Sequence, residues 1–258
     1  MTGKSMTKAR VLLLDIELSP NIAYVWGSFK QNISHEMFVE KSHIMCFTAK
    51  WLGDPKIIYK ENRSGSNDKA IVQDLYALLD EADVVCGHNA KDFDLSIALT
   101  RGLVHNLPPP SPYHVVDTLK SARSHFRFLS NKLSALCEEL GLAPKGKHKK
   151  FPGFELWKQC LANNEEAWEE MKDYNVQDVI SLEALYLRLL PYIGGHPNVD
   201  LSDGEELICP KCASNAVQKR GTYTSSVGVI YQRFVCKSCG TWSHDKSSTR
   251  GGSITRNF

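Results

Sequence analysis

The chain has 258 residues, 42% hydrophobic and 23% charged, a balance that excludes a disordered or fibrous protein and predicts a real apolar core. Its first apolar run, residues 11–14, is too short for a secretion signal or a membrane span. An intracellular, cytoplasmic protein without a membrane partner is therefore expected. The net charge of +2 hides an asymmetry: from Cys209 onward eight Lys or Arg face one acid, giving +7 there and −5 on residues 1–208. A basic tail suits a polyanion, and an acidic body suits cations.

Residues 11–15 are a continuous apolar run ending in acid, the pattern of a buried central strand. Residues 21–41 read as a long connection carrying Tyr24, Trp26 and Phe29, rings that either close the core or offer faces on which bases stack. Strands are expected at 43–51 and 56–60, around the turn Gly53-Asp54-Pro55. A loop at 65–68 supplies a cap for helix 70–81, whose Ile71, Leu75, Leu78 and Leu79 share one face. A second buried strand at 83–87 leads to helix 94–103, which Pro108-Pro109-Pro110 follows. A strand at 113–117, a helix at 132–140, a basic loop at 144–150 and helices at 154–162 and 165–190 complete the body. Strands alternating with helices define an α/β body with a mixed central sheet. Residues 194–206 read as a linker, 207–243 as a small separate domain and 244–258 as a disordered basic tail.

Three acidic signatures carry the chemistry: Asp15-Ile16-Glu17, the stretch Asn89 to Asp94, and Tyr174-Asn175-Val176-Gln177-Asp178. Asp15 and Glu17 lie two apart at a strand end and so point to one side. Asp94 opens a helix, where the dipole favours a carboxylate. Its rival Asp92 suits a helix cap. Tyr174 and Asp178 are four apart on a helix and form one patch. Carboxylates crowded together repel unless cations neutralise them, and magnesium suits hard oxygen ligands while keeping water in its shell.

Leu13-Leu14-Asp15-Ile16-Glu17, His88-Asn89-x-x-x-Phe93-Asp94 and Tyr174-x-x-x-Asp178 resemble the three motifs of the DEDD exonucleases. These are ribonuclease H-like 3′–5′ exonucleases that include the proofreading domains of family B DNA polymerases. The resemblance covers roughly residues 10–192. Tyr174 marks the tyrosine subtype, because the position of the alternative histidine holds Asp173. By that resemblance Asp15, Glu17, Asp94 and Asp178 hold two Mg2+ or Mn2+ ions, and Tyr174 with Glu17 orients the attacking water. Leu18, Asn89 and Phe93 would shape the pocket for the terminal nucleotide, and Trp26 would stack on a base. Lys147 and Lys149, in the basic loop, would meet phosphate. His88 is expected to hydrogen-bond in the turn and not to bind an ion, and Asp117, at a strand end, to be structural or to support a ligand from behind.

The implied activity is a stand-alone two-metal 3′–5′ exonuclease releasing nucleoside monophosphates from single-stranded ends, with DNA favoured over RNA. A structure-selective endonuclease of the same fold is one alternative. A non-catalytic nucleic-acid-binding adaptor is another, although a pure binder needs no crowded acids.

The cysteines divide in two. Cys46, Cys86, Cys137 and Cys160 sit in apolar surroundings as small hydrophobes. Cys209-x-x-Cys212 and Cys236-x-x-Cys239, 23 residues apart, resemble the knuckles of a zinc ribbon around a hairpin at 217–224 and 229–235. One structural Zn2+ is expected, with His244 a spare ligand. Arg220, Tyr223, Tyr231, Arg233 and Trp242 mix basic and aromatic groups as a nucleic-acid surface does; docking a replication or repair protein is the other use of such a module.

Overall fold

The computed structural model describes residues 8–142, 150–202 and 206–250. Lys145, Lys147, His148 and Lys149 of the expected basic loop lie outside these residues, as do residues 251–258. The chain divides into two units, Arg10–Tyr186 and a second made of Leu187–Phe258 with Met1–Ala9.

The first unit is organised by β1 (Val11–Leu18), whose Leu12, Leu13 and Leu14 are wholly buried. After it come the short ribbon strands β2 (Ile22–Ala23) and β3 (Phe38–Glu40), then β4 (Ile44–Trp51) and β5 (Ile57–Glu61). Helix α1 (Lys69–Glu81), β6 (Val84–Gly87), α2 (Asp94–Val104) and β7 (His114–Asp117) follow. Helices α3 (Thr118–His125), α4 (Leu133–Glu139), α5 (Glu155–Leu161) and α6 (Glu165–Leu189) end the series. The sheet order is β5-β4-β1-β6-β7. β1 runs antiparallel to β4 and parallel to β6, so the expected mixed sheet forms. A central strand covered on both faces must be apolar throughout, which explains the run at 11–14.

Each sheet face has its own core. Leu12, Leu14 and Ile16 of β1 pack with Ile71, Leu75 and Leu79 of α1. Met45 and Cys46 of β4 pack with Leu156, Cys160, Trp168 and Met171 of α5 and α6. Lys50 of β4 also donates to both oxygens of Glu183 on α6 at 2.7 Å, which pins that helix to the sheet. Gly87 closes β6 where a Cβ would lie 2.5 Å from the Ala90 Cβ and 3.2 Å from the Leu14 carbonyl oxygen. Only glycine lets the chain turn so near β1.

Asp68 occupies the expected cap position of α1, yet its side chain does not cap the helix. It is fully buried and accepts instead from Ile44 N at 2.9 Å, from two Arg101 nitrogens at 2.8 and 2.6 Å, and from His105 at 2.5 Å. Charged donors offer this carboxylate more than one backbone amide would. The result ties β4 to the C-terminal end of α2.

In the second unit β8 (Val217–Thr224), β9 (Ile230–Cys236) and β10 (Trp242–Arg250) form an antiparallel sheet in the order β10-β9-β8. The hairpin stands where expected, but the sheet runs on to Arg250, past the expected end at 243. β10 pairs with β9 through Trp242↔Val235, His244↔Arg233 and Ser248↔Tyr231. Backbone pairing makes a strand there of a segment whose polar side chains resemble a solvated tail.

The segment expected as a linker is also tied down. Val199 is buried, its N–H donates to the Pro210 carbonyl at 2.8 Å and its own carbonyl accepts from Ala9 N at 2.9 Å. The Lys211 ammonium donates to the carbonyls of Leu190, Pro191 and Ile193 at 2.7–3.2 Å, satisfying the chain end after α6. Among the described residues, no helix is long and apolar enough to cross a membrane.

Candidate active site and metal centres

The C-terminal end of β1 presents Asp15 and Glu17, and α6 brings Asp178 to them. One carboxylate oxygen from each lies within 4.8 Å of the others. Two oxygens on one octahedral magnesium lie about 3.0–4.2 Å apart, given bonds of about 2.1 Å. The donor set therefore fits hard divalent cations. Asp178 is buried, while Asp15 and Glu17 are half-buried.

Asn175, one residue after Tyr174, completes the group. It is fully buried, and its amide donates to Asp15 Oδ2 at 2.6 Å and to the Asp15 carbonyl at 3.4 Å. Sequence reasoning assigns it no role. The available signal is its spacing, since Asn175 and Asp178 are three apart and share a helix face.

Tyr174 meets Trp157 edge-on, with centroids 6.1 Å apart. Burial raises its phenol pKa well above the ordinary value, and the charges of Asp178, Glu17 and Asp15 and a hydrogen bond to Asp178 push the same way. The hydroxyl thus keeps its proton and acts as a donor.

Asp94 stands apart from the three-acid cluster. It is 3% exposed, and its Oδ1 accepts from the backbone N–H of Ile16 at 2.9 Å. Burial lifts its carboxyl to about 7, against the pull of the backbone N–H groups of Ile16 and of Asp94 itself. Its rival Asp92 is exposed and pairs with Lys120 at 3.0 Å, a surface contact.

Asn89 adopts a left-handed φ of 73°, the bend that turns the chain from β6 toward α2. Asp117 holds this bend by accepting from Asn89 N at 3.1 Å, and also accepts from Lys120 N at 3.1 Å to cap α3. Its Oδ2 is buried without a hydrogen-bond partner among the described residues. His88 donates from Nε2 to the Asn131 carbonyl at 2.8 Å and faces the Thr118 hydroxyl at 2.9 Å, so both ring nitrogens are engaged in the turn.

Of the residues expected to meet a nucleotide, Leu18 is half-buried and lines a cavity of about 510 Å³ with Phe38, Ile97 and Val104. Phe93 is 42% exposed at the start of α2. Trp26 is 97% exposed and Tyr24 and Phe29 are more than three-quarters exposed, so these rings do not close the core. Arg220 and Arg233 are exposed on β8 and β9.

In the second unit the sulfurs of Cys209, Cys212, Cys236 and Cys239 all lie within 4.8 Å of one another. The Cys209–Cys239 and Cys212–Cys236 sulfur separations are both 3.7 Å. A tetrahedron with zinc–sulfur bonds of about 2.3 Å has edges of about 3.8 Å. The four thiols therefore fit one tetrahedral thiophilic ion. His244 is not in the cluster.

The chain belongs to the RNase_H superfamily, whose family model matches residues 34–190. That match begins after the strand bearing Asp15 and Glu17. A solved structure of the family B DNA polymerase from the hyperthermophilic archaeon Pyrobaculum calidifontis is similar in fold, with a TM-score of 0.54 and 18% identity. The likeness covers 71% of this chain and 25% of the polymerase chain, so this chain spans about a quarter of that protein. No curated protein matches the chain.

Proposed function

We propose that the chain is a metal-dependent 3′–5′ exonuclease of the tyrosine-bearing DEDD kind, acting on single-stranded nucleic acid with DNA preferred to RNA. The observation that carries this reading is the convergence of Asp15, Glu17 and Asp178 within 4.8 Å, with the Tyr174 phenol hydrogen-bonded to Asp178. Superfamily membership supports nuclease chemistry in general, and the order and spacing of the three motifs support the finer assignment.

Two divalent ions at such a site, magnesium or manganese, supply an acidified water and a counter-charge for the leaving 3′ oxygen. The chain's own residues do the rest. Asp15, Glu17 and Asp178 bind, and Asn175 holds Asp15 in one orientation. Asp94 fixes the strand between Asp15 and Glu17 and, from outside their cluster, offers its charge to the second ion. Tyr174, still protonated at neutral pH with its proton shared with Asp178, and Glu17 each accept from the attacking water and so orient it. The four cysteines hold one zinc ion, which folds a segment too small to bury a sufficient core.

An end-labelled oligonucleotide incubated with magnesium tests the assignment. Shortening from the 3′ end by single nucleotides is expected. Internal cuts on a circular strand would move the assignment to an endonuclease, and binding without cleavage would move it to an adaptor.

A further inference from the structure

Strand register gathers the exposed rings and cations of the second unit onto one side of its sheet. Residues paired across antiparallel strands share a face, and residues two apart on one strand do so too. Tyr223 pairs with Tyr231, His244 with Arg233 and Trp242 with Val235. Tyr231, Arg233 and Val235 alternate along β9, so Tyr223, Tyr231, Arg233, Trp242 and His244 occupy the same face. The alternate residues Phe234 and Cys236 are 6% and 2% exposed and turn the other way.

The five side chains are organised, not scattered. The His244 ring lies parallel to Tyr223, 13° between planes and 5.1 Å between centroids, and 5.0 Å from Tyr231. The Arg233 guanidinium lies over the Trp242 ring at 4.8 Å, and its Nε donates to the Arg220 carbonyl at 3.0 Å. Stacking preorganises these rings, which lowers the cost of binding. Trp242 and Tyr223 nonetheless remain 52% and 41% exposed. Lys219, Arg220 and Lys237 are exposed on the same three-stranded module, within the segment that carries +7.

We propose that this face is a single-stranded polynucleotide platform, with bases stacking on Trp242 and Tyr223 and phosphates meeting Arg220 and Arg233. Flat rings with free faces accept any base, and the cations beside them track a phosphate backbone. The charge sets the occupant: a cationic patch of this density repels a second copy of itself and suits a polyanion. His244, expected as a spare zinc ligand, serves here as the ring between two tyrosines. The platform is built from residues of the second unit and the acidic site from residues of the first, and nothing in it depends on the nuclease assignment.

The test measures binding, not cleavage. Full-length protein carrying Asp15→Ala is titrated into fluorescein-labelled dT and rU strands and into an abasic strand of equal length, with zinc content checked for every variant. Trp242→Ala and Tyr223→Ala should each weaken dT binding by about tenfold or more while leaving the weaker abasic binding unchanged. Trp242→Phe should retain most of the affinity. Equal binding of dT by the parent and both alanine variants, at full zinc content, would overturn the platform, as would equal affinity for abasic and dT strands. A dimer dissolved by Trp242→Ala in protein that binds no oligonucleotide would assign the face to a second copy instead. Relative dT and rU affinities decide which polynucleotide the face prefers, and failure to bind both would refute it.

Discussion

The carboxylate of Asp94 accepts a 2.9 Å hydrogen bond from the backbone N–H of Ile16, the residue between Asp15 and Glu17. One acid thereby sets the position of two others by a bond to the residue between them, 78 residues away in sequence. Asp94→Asn keeps an acceptor at this point and removes only the charge. It should fold with a near-normal melting temperature and lose cleavage. Asp94→Ala should lose both, with a stability loss of about 1–3 kcal/mol for the orphaned donor. Wild-type cleavage by Asp94→Asn would reduce Asp94 to a strut.

Burial lifts the Asp94 carboxyl to about 7, so metal-free folded protein keeps a proton there that the unfolded chain releases near pH 4. This contribution is complete below pH 4 and is lost as pH rises toward 7. Metal-free wild type should therefore lose stability relative to Asp94→Asn across that window. Parallel melting curves of the two proteins would disprove the elevated value.

Replacing Asp15 or Asp178 by alanine should remove several kcal/mol of transition-state stabilisation, a rate loss of at least about a hundredfold. Relieving the crowding of like charges should raise the metal-free melting temperature, a gain that the orphaned Asn175 amide offsets in Asp15→Ala. A variant that cleaves at the wild-type rate would show that its carboxylate holds no catalytic ion.

Tyr174→Phe removes one donor beside Asp178 and keeps the ring against Trp157. Cleavage should fall by about a hundredfold with oligonucleotide affinity nearly intact. A change confined to affinity would contradict its orienting role.

Asp68 links β4, α1 and α2 through buried charged bonds. Burial alone would raise its pKa, but hydrogen bonds from Arg101, His105 and Ile44 outweigh it and hold the group below its ordinary value. Its stabilisation is present above the unfolded value near pH 3.9 and is lost as pH falls through the lower folded one. Asp68→Ala should cost about 3–5 kcal/mol by leaving Arg101 uncompensated, read as a lower denaturation midpoint at neutral pH. An unchanged midpoint would mean that Arg101 finds another partner.

The buried strand of β1, the helical spacing of α1 and the two cysteine knuckles are legible because each follows a strong local rule: apolar runs, period 3.6, or ligand spacing. Helix α3 escapes such rules, since only Thr118, Leu119 and Ala122 are buried and its first turn depends on the Asp117 side chain. β10 escapes because pairing with β9 sets it, not its own polar residues. In the site, the acids declare themselves by type and order. Asn175 does not, because an amide acquires its role only when folding places it 2.6 Å from Asp15. The division of labour between Asp94 and the other three acids is likewise a matter of tertiary distance.

Crystals soaked in manganese and measured at its absorption edge test the acidic centre most directly. Anomalous peaks bounded by Asp15, Glu17 and Asp178 are predicted, and they should vanish in Asp15→Ala crystals. Manganese absent from that position at saturating concentration, in protein whose three carboxylates are ordered, would contradict the assignment.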